Sequence, residues 1–381
     1  TSASKGLSTR GVSSPNELRW FRLLCLGLVV MRCQPLRRAL GLTIKVGLWG
    51  MVKFHEELEQ CDGEKAVILG NGFGISYDIS ASENNFNWNT LLDLCDINEG
   101  SQLHRMLAEN FFDFELVHQK LNNAIDVIGL YEPQSKLALE LDNQIQYLRE
   151  QLVIAVSKSH PSAFTTKCDS EERKKRKMRI ETCRKFLGNF DNVFSLNYDL
   201  LLYWVRCFES HRLGRDSFSK LDDELVFSPD DSANFFFPHG ALFLYRDGVG
   251  ATKSRSSKSN PILARLESNI EKGIFPMCVS EGTGEQKLEV IKSNYYLNYA
   301  YNRIKECKGT IFTFGCSFLN FKDDHIIKAM LQSPAEKIVV GEFQPNKKNY
   351  HRLELAFEHC QTQLKTKKKV IIADTDGVKV W

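Results

Sequence analysis

Apolar positions along this chain follow two rhythms. Short unbroken runs at residues 66–69, 192–196, 274–279, 310–314, 337–340 and 370–373 have the length and composition of strands buried on both faces. Between them the spacing changes to threes and fours. Leu91, Leu92, Leu94 and Cys95, then Phe111, Phe112, Phe114, Leu116 and Val117, predict helices within residues 86–130. Leu137, Leu141, Ile145, Leu148, Leu152 and Val156 predict one long amphipathic helix over 135–159. Further helices are expected at 200–208 and 350–364. Strands alternating with helices indicate an α/β fold with a doubly wound, mainly parallel, Rossmann-like sheet. The helices between the first and second strands exceed what a crossover needs, so residues of about 86–190 read as an inserted helical cap.

Three of these runs, and the three phenylalanines at 235–237, lead into short polar motifs, in the order Gly70-Asn71-Gly72-Phe73-Gly74, Ser195-Leu196-Asn197-Tyr198-Asp199, Pro238-His239-Gly240 and Gly315-Cys316-Ser317. Doubly wound sheets carry their chemistry where parallel strands end. Glycines after the first strand permit a sharp turn and let backbone amides approach a diphosphate, although a tight strand-to-helix turn needs the same residues. A hydride-transfer dinucleotide site would also show an acidic residue about 20 positions on, at the end of a second strand. Residues 83–88 offer no such strand, which disfavours a dehydrogenase.

Asn197 brings a carboxamide able to hold ribose hydroxyls or water. Asp199, at a strand-to-helix junction, reads equally as a helix cap. His239, flanked by Pro238 and Gly240, is a candidate base for a ribose proton, against the plainer reading of a structural histidine. Gly315 and Ser317 suit a sugar or phosphate edge. Cys316 has no base beside it in sequence and is assigned no catalysis. His325, beside Asp323 and Asp324, reads as a surface or capping residue. Together the motifs describe a dinucleotide pocket whose sugar is attacked, hence NAD cleavage, with His239 and Asn197 as the reacting pair.

Charge and composition narrow the class. Residues 1–50 hold eight Lys/Arg and one acidic residue, a charge of +7, so the rest carries −4 of the overall +3. A mildly acidic body excludes a broad nucleic-acid surface. The charge run at 171–179 reads as a solvated helix face. The 251–260 stretch, rich in Ser and Lys, is expected to be a loop. The apolar segment at 23–31 is too short to span a bilayer, and a transit peptide or a non-native extension are both open for residues 1–50. Eleven cysteines include no C-x-x-C pair, so reduced thiols in a cytoplasmic protein are expected, without a metal site or disulfide framework. No membrane partner is expected. A homo-oligomer is left open.

As a set, the four motifs resemble the sirtuin-like NAD-binding superfamily: the first glycine loop at Gly70 to Gly74, the asparagine–aspartate motif at Asn197 to Asp199, the catalytic histidine segment at His239, and the late glycine–serine loop at Gly315 to Ser317. A longer match is with the largely bacterial family "domain of unknown function 4917". It runs through Val67-Ile68-Leu69-Gly70-Asn71-Gly72-Phe73, Asn197-Tyr198-Asp199-Leu200-Leu201-Leu202-Tyr203-Trp204, His239-Gly240-Ala241-Leu242, Val279-Ser280-Glu281-Gly282-Thr283 and Glu285-Gln286-Lys287-Leu288. The resemblance implies NAD as substrate or ligand, Asn197 on ribose or water, and His239 as the activating base. Ser280, Glu281 and Thr283 would join the rim. It also implies a role in antiphage defence. The zinc ribbon of sirtuin deacylases is missing, and so are the serine and Phe-Arg of their first loop. Hydrolysis of NAD is the leading expectation. A non-catalytic NAD or ADP-ribose sensor and a protein ADP-ribosyltransferase are the alternatives.

Overall fold

A computed structural model describes residues 52–381 apart from 87, 111, 161–169, 209–212, 222–223, 256–260 and 281. The expectations for residues 1–50 and for Glu281 therefore lie outside the described residues.

Six strands form one parallel sheet: β1 (Lys65–Leu69), β2 (Asn192–Ser195), β5 (Phe235–Phe236), β8 (Thr310–Phe314), β9 (Lys337–Glu342) and β10 (Lys369–Asp374). Their spatial order is β10-β9-β8-β1-β2-β5, and every neighbouring pair is parallel. Counting only these strands, the order is 3-2-1-4-5-6, that of the Rossmann-type doubly wound fold. The chain order reverses between β1 and β8, which makes the crevice beyond their carboxyl ends the switch point. Val67, Ile68, Leu69, Phe194, Ile311, Phe312, Ile338, Val339 and Val340 are fully or almost fully buried, which explains their continuous apolar runs.

Helix α1 (Phe54–Glu59) precedes β1. Helix α2 (Gly72–Ala81) begins inside the first glycine motif. Helices α3 (Trp88–Asp93), α4 (Gln102–Glu109), α5 (Phe114–Tyr131), α6 (Lys136–Ser159) and α7 (Ser170–Leu187) then fill the interval before β2. Asp113 caps α5 by accepting the Leu116 amide at 2.9 Å. The charge run of α7 is largely solvent-facing, while Ile180, Cys183 and Phe186 are buried. Helix α8 (Leu201–Cys207) leaves β2.

Two expectations fail between residues 213 and 280. Residues 274–279 form no strand of the sheet. They lie instead along the histidine segment, with Met277 N donating to Leu244 O (2.8 Å), Val279 N to His239 O (2.9 Å), and one bridge between Gly240 and Cys278. Residues 251–253 are strand rather than loop. β3 (Phe218–Leu221), β4 (Glu224–Phe227), β6 (Leu244–Asp247) and β7 (Gly250–Lys253) build a small antiparallel sheet ordered β3-β4-β7-β6. Its interior holds a buried ion triad, Asp216 with Arg206 and Lys253, set among Tyr203, Phe218 and Phe243. The chain continues through α9 (Ile262–Glu271), α10 (Gly284–Lys292), α11 (Tyr295–Lys305), α12 (Asp324–Gln332) and α13 (Lys347–Leu364). The eight cysteines among the described residues are all free thiols. No helix among them is long and apolar enough to cross a membrane.

Candidate functional site

The four polar motifs follow β1, β2, β5 and β8, which are neighbours in the sheet. All therefore emerge at one edge, and hydrogen bonds link them. The Asn197 carboxamide donates from Nδ2 to Gly70 O at 3.0 Å. Gly70 N donates to Phe314 O and Gly72 N to Gly315 O, each at 2.9 Å. A Cβ on Gly72 would lie 2.5 Å from Gly315 Cα, so these two loops touch backbone to backbone. Loop packing thus accounts for these glycines and engages the amides of Gly70, Gly72 and Phe73, the last bonded to Gly70 O. The amino end of α2, with Asn71 as its exposed cap, is what this loop offers an anion. Phe73 is buried, and its carbonyl accepts the Trp381 indole N–H at 3.0 Å. Gly74 makes room for the Phe86 ring. Ser317 is exposed at the same edge, next to buried Cys316, whose thiol burial pushes well up.

Asp199 is buried and accepts the Leu201 amide at 2.8 Å, a capping role at the start of α8. Burial, with a contribution from the nearby Asp78 carboxylate, lifts its carboxyl to about 6 against the pull of two backbone hydrogen bonds. Asp78 is itself buried and receives the amides of Asn85 (2.7 Å) and Phe86 (2.8 Å). Tyr198 donates its hydroxyl to Val279 O at 2.5 Å, clamping the 277–280 segment beside the histidine.

His239 is 2% exposed. Gly240 follows at φ +80°, and a Cβ there would sit 2.0 Å from Met277 O, so only glycine permits this turn. The His239 ring bonds the Leu196 backbone. Leu196 N is already given to Leu69 O, so the ring donates to the Leu196 carbonyl. Its Nε2 lies 2.8 Å from Nε2 of His325, on the near-parallel neighbouring ring. Between the two Nε2 atoms one ring donates and the other accepts, according to the tautomer. Burial, reinforced by the Lys287 charge and opposed by Asp323, pushes the His239 imidazole down to about 3.

His325 is not a surface residue. It is 2% exposed on the first turn of α12, its Nδ1 has no partner, and its backbone carbonyl accepts the Tyr301 hydroxyl at 3.0 Å. Beside the two imidazoles stands Lys287, 1% exposed on α10, which donates to Asp323 Oδ1 and Glu115 Oε1, each at 3.0 Å. Burial alone would lower this lysine; Asp323 and Glu115 outweigh it and hold the ammonium above its usual range. Lys322 bonds Asp113 at 2.5 Å. Ion pairs therefore tie α5 to α10 through Lys287–Glu115, and its Asp113 cap to the segment after β8 through Lys322. A third tie runs through Ser280, buried, whose carbonyl meets His118 Nδ1 at 2.8 Å. His118 is held down to about 4, chiefly by burial. Thr283 is a helix cap, forming a capping box with Gln286 at the start of α10.

The arrangement thus joins Gly70, Gly72, Asn197, His239 and Gly315, and adds His325 and Asp323, which the sequence placed at the surface or a helix cap, and Lys287 and Glu115, which it gave no role. Lys287 escaped because lysines are rarely buried. Only its place after the Thr283 capping signal marked it as lying near the site.

A doubly wound parallel α/β protein with its polar residues gathered at the β1/β8 switch point is the class these features define. A family model described as "Domain of unknown function (DUF4917)" matches residues 67–381, and the chain belongs to that family. No curated protein matches the chain.

Proposed function

We propose that this chain is a sirtuin-like NAD hydrolase that cleaves the nicotinamide–ribose bond. The observation carrying this reading is the meeting of Asn197, His239 and the Gly70 and Gly315 loops at one sheet edge, although they are far apart in sequence. The diphosphate would lie at the amino end of α2 and the ribose beside Asn197. Water adds to C1′ as the C1′–N bond breaks. The bonding pair leaves with nicotinamide, which departs neutral, and the proton released from water passes to His239 Nε2. The transition state is oxocarbenium-like, so a neutral imidazole serves it better than a cation.

His239 Nε2 is covered by His325 here, so substrate reaches it only after the segment following β8 moves aside. That segment has three non-glycine residues in the left-handed region, Phe318 (φ 46°), Asn320 (φ 53°) and Phe321 (φ 60°). Such strain marks it as the part poised to rearrange. The same covering favours a second reading, a sensor that binds NAD or ADP-ribose without turnover.

Incubating the purified chain with NAD separates these. Hydrolysis predicts nicotinamide and ADP-ribose from the wild type and a fall of 10²-fold or more in His239→Ala. Heat of binding without nicotinamide selects the sensor. Neither binding nor product, for NAD or ADP-ribose, sinks both.

A further inference from the structure

We infer that His239, His325 and Asp323 form a binding site for a divalent first-row transition ion of the zinc or cobalt class. One potential ligand atom from each of these side chains lies within 4.8 Å of the other two. The three come from two chain-distant segments, the turn after β5 and the amino end of α12, so their meeting belongs to the tertiary fold. Two imidazoles and a carboxylate form a donor set for such ions, and three protein ligands leave a position for water. The inference is independent of the NAD reading, because ligand geometry carries it.

The surroundings fit. The Leu196 backbone lies against the His239 ring, the kind of second partner that ligating histidines usually have. Nothing bonds Nδ1 of His325. Its proton can therefore sit on Nδ1, which turns two Nε2 lone pairs toward each other, an arrangement that a cation between them relieves. A tetrahedral ion with bonds of about 2.0 Å needs those nitrogens about 3.3 Å apart, a slight opening from the 2.8 Å found. Asp323 uses Oδ1 for Lys287, which leaves its second oxygen for the ion and fixes the carboxylate plane. The Lys287 ammonium does not make the cluster cationic. Counting Lys287 and Lys322 against Glu115, Asp323 and Asp113, the formal charge of this ion-pair network beside the imidazoles is −1. An ion seated on His239 Nε2 also removes the lone pair that hydrolysis would need, so a loaded site is a switched-off one.

The test is a titration of the full chain with Co²⁺ and Zn²⁺, beside folded His325→Gln and His239→Gln variants. One Co²⁺ per chain should bind with visible d–d absorption and no thiolate charge-transfer band. Affinity should fall 100-fold or more in each variant. With histidine-labelled protein, Zn²⁺ should shift the imidazole resonances of His239 and His325 and leave the other seven in place; this readout needs no variant to fold. The inference is overturned by the absence of saturable binding, by a thiolate band marking cysteine ligation, by unchanged affinity in the variants, or by shifts confined to other histidines. NAD turnover enters none of these readings, so failure here leaves the hydrolase proposal standing, and the reverse.

Discussion

Replacing Asp199 with asparagine should make the protein more stable at neutral pH. The carboxyl is buried, has Asp78 nearby, and ionises only near 6 instead of its ordinary 3.8. The folded chain therefore holds the proton more tightly than the unfolded one, so ionisation of Asp199 works against folding. Above pH 6 that penalty is fully developed, at about 3 kcal/mol for a rise of this size. It shrinks as pH falls through 6 toward 4 and vanishes once both states are protonated. Asparagine keeps an oxygen for the Leu201 amide and never ionises, so the cap survives while the penalty goes. Urea unfolding of wild type and Asp199→Asn should show a gain approaching about 3 kcal/mol at pH 7 and under about 1 kcal/mol at pH 4. Carboxylates other than Asp78, which interacts with Asp199, titrate alike in both proteins and cancel in the difference. A variant less stable at pH 7, or a gain that acid leaves unchanged, refutes the reasoning. A costly residue retained at a strand end is the pattern of a working site. On the NAD reading, the stabilised variant should accordingly lose nicotinamide release.

Gly240→Ala meets both a left-handed φ and a carbonyl 2.0 Å from the new methyl, so it should lower stability by at least about 2 kcal/mol in thermal unfolding. Lys287→Met takes a buried partner from Glu115, leaving it Lys322, and from Asp323; it should cost about 3 kcal/mol or more, part of it recovered by adding Glu115→Gln. Trp381→Ala removes ring contacts with Phe73 and Tyr77 and a hydrogen bond to the glycine motif; a loss of about 2 kcal/mol should appear in the same melts.

The sheet was legible where burial on both faces leaves a plain mark. β1, β8, β9 and β10 are continuous apolar runs, and the glycines and polar residues ending β1 and β8 announce the switch point. Residues 274–279 carry the same mark without being a strand, because they bury their apolar side chains by lying along the His239 turn. The small antiparallel sheet was illegible for the opposite reason. β3 and β4 are four-residue strands with exposed or half-exposed positions, so no alternation outlasts noise. Within the site, Asn197 and His239 stood out because small or polar neighbours isolate them at strand ends. His325 hid in a polar triplet at a helix start, and the partners of Lys287 lie 172 and 36 positions away. Local pattern carries no information on pairings of that kind.

Gly282 has its own mechanical meaning. A Cβ at this position would stand 2.1 Å from Cβ of Gln119, so the Gly282 backbone is pressed directly onto helix α5. Two main chains at such a range cannot slip past each other as side chains do. Any tilt of the inserted helices is delivered undamped to the segment that lies against the His239 turn, and anything that opens the crevice must lift those helices with it.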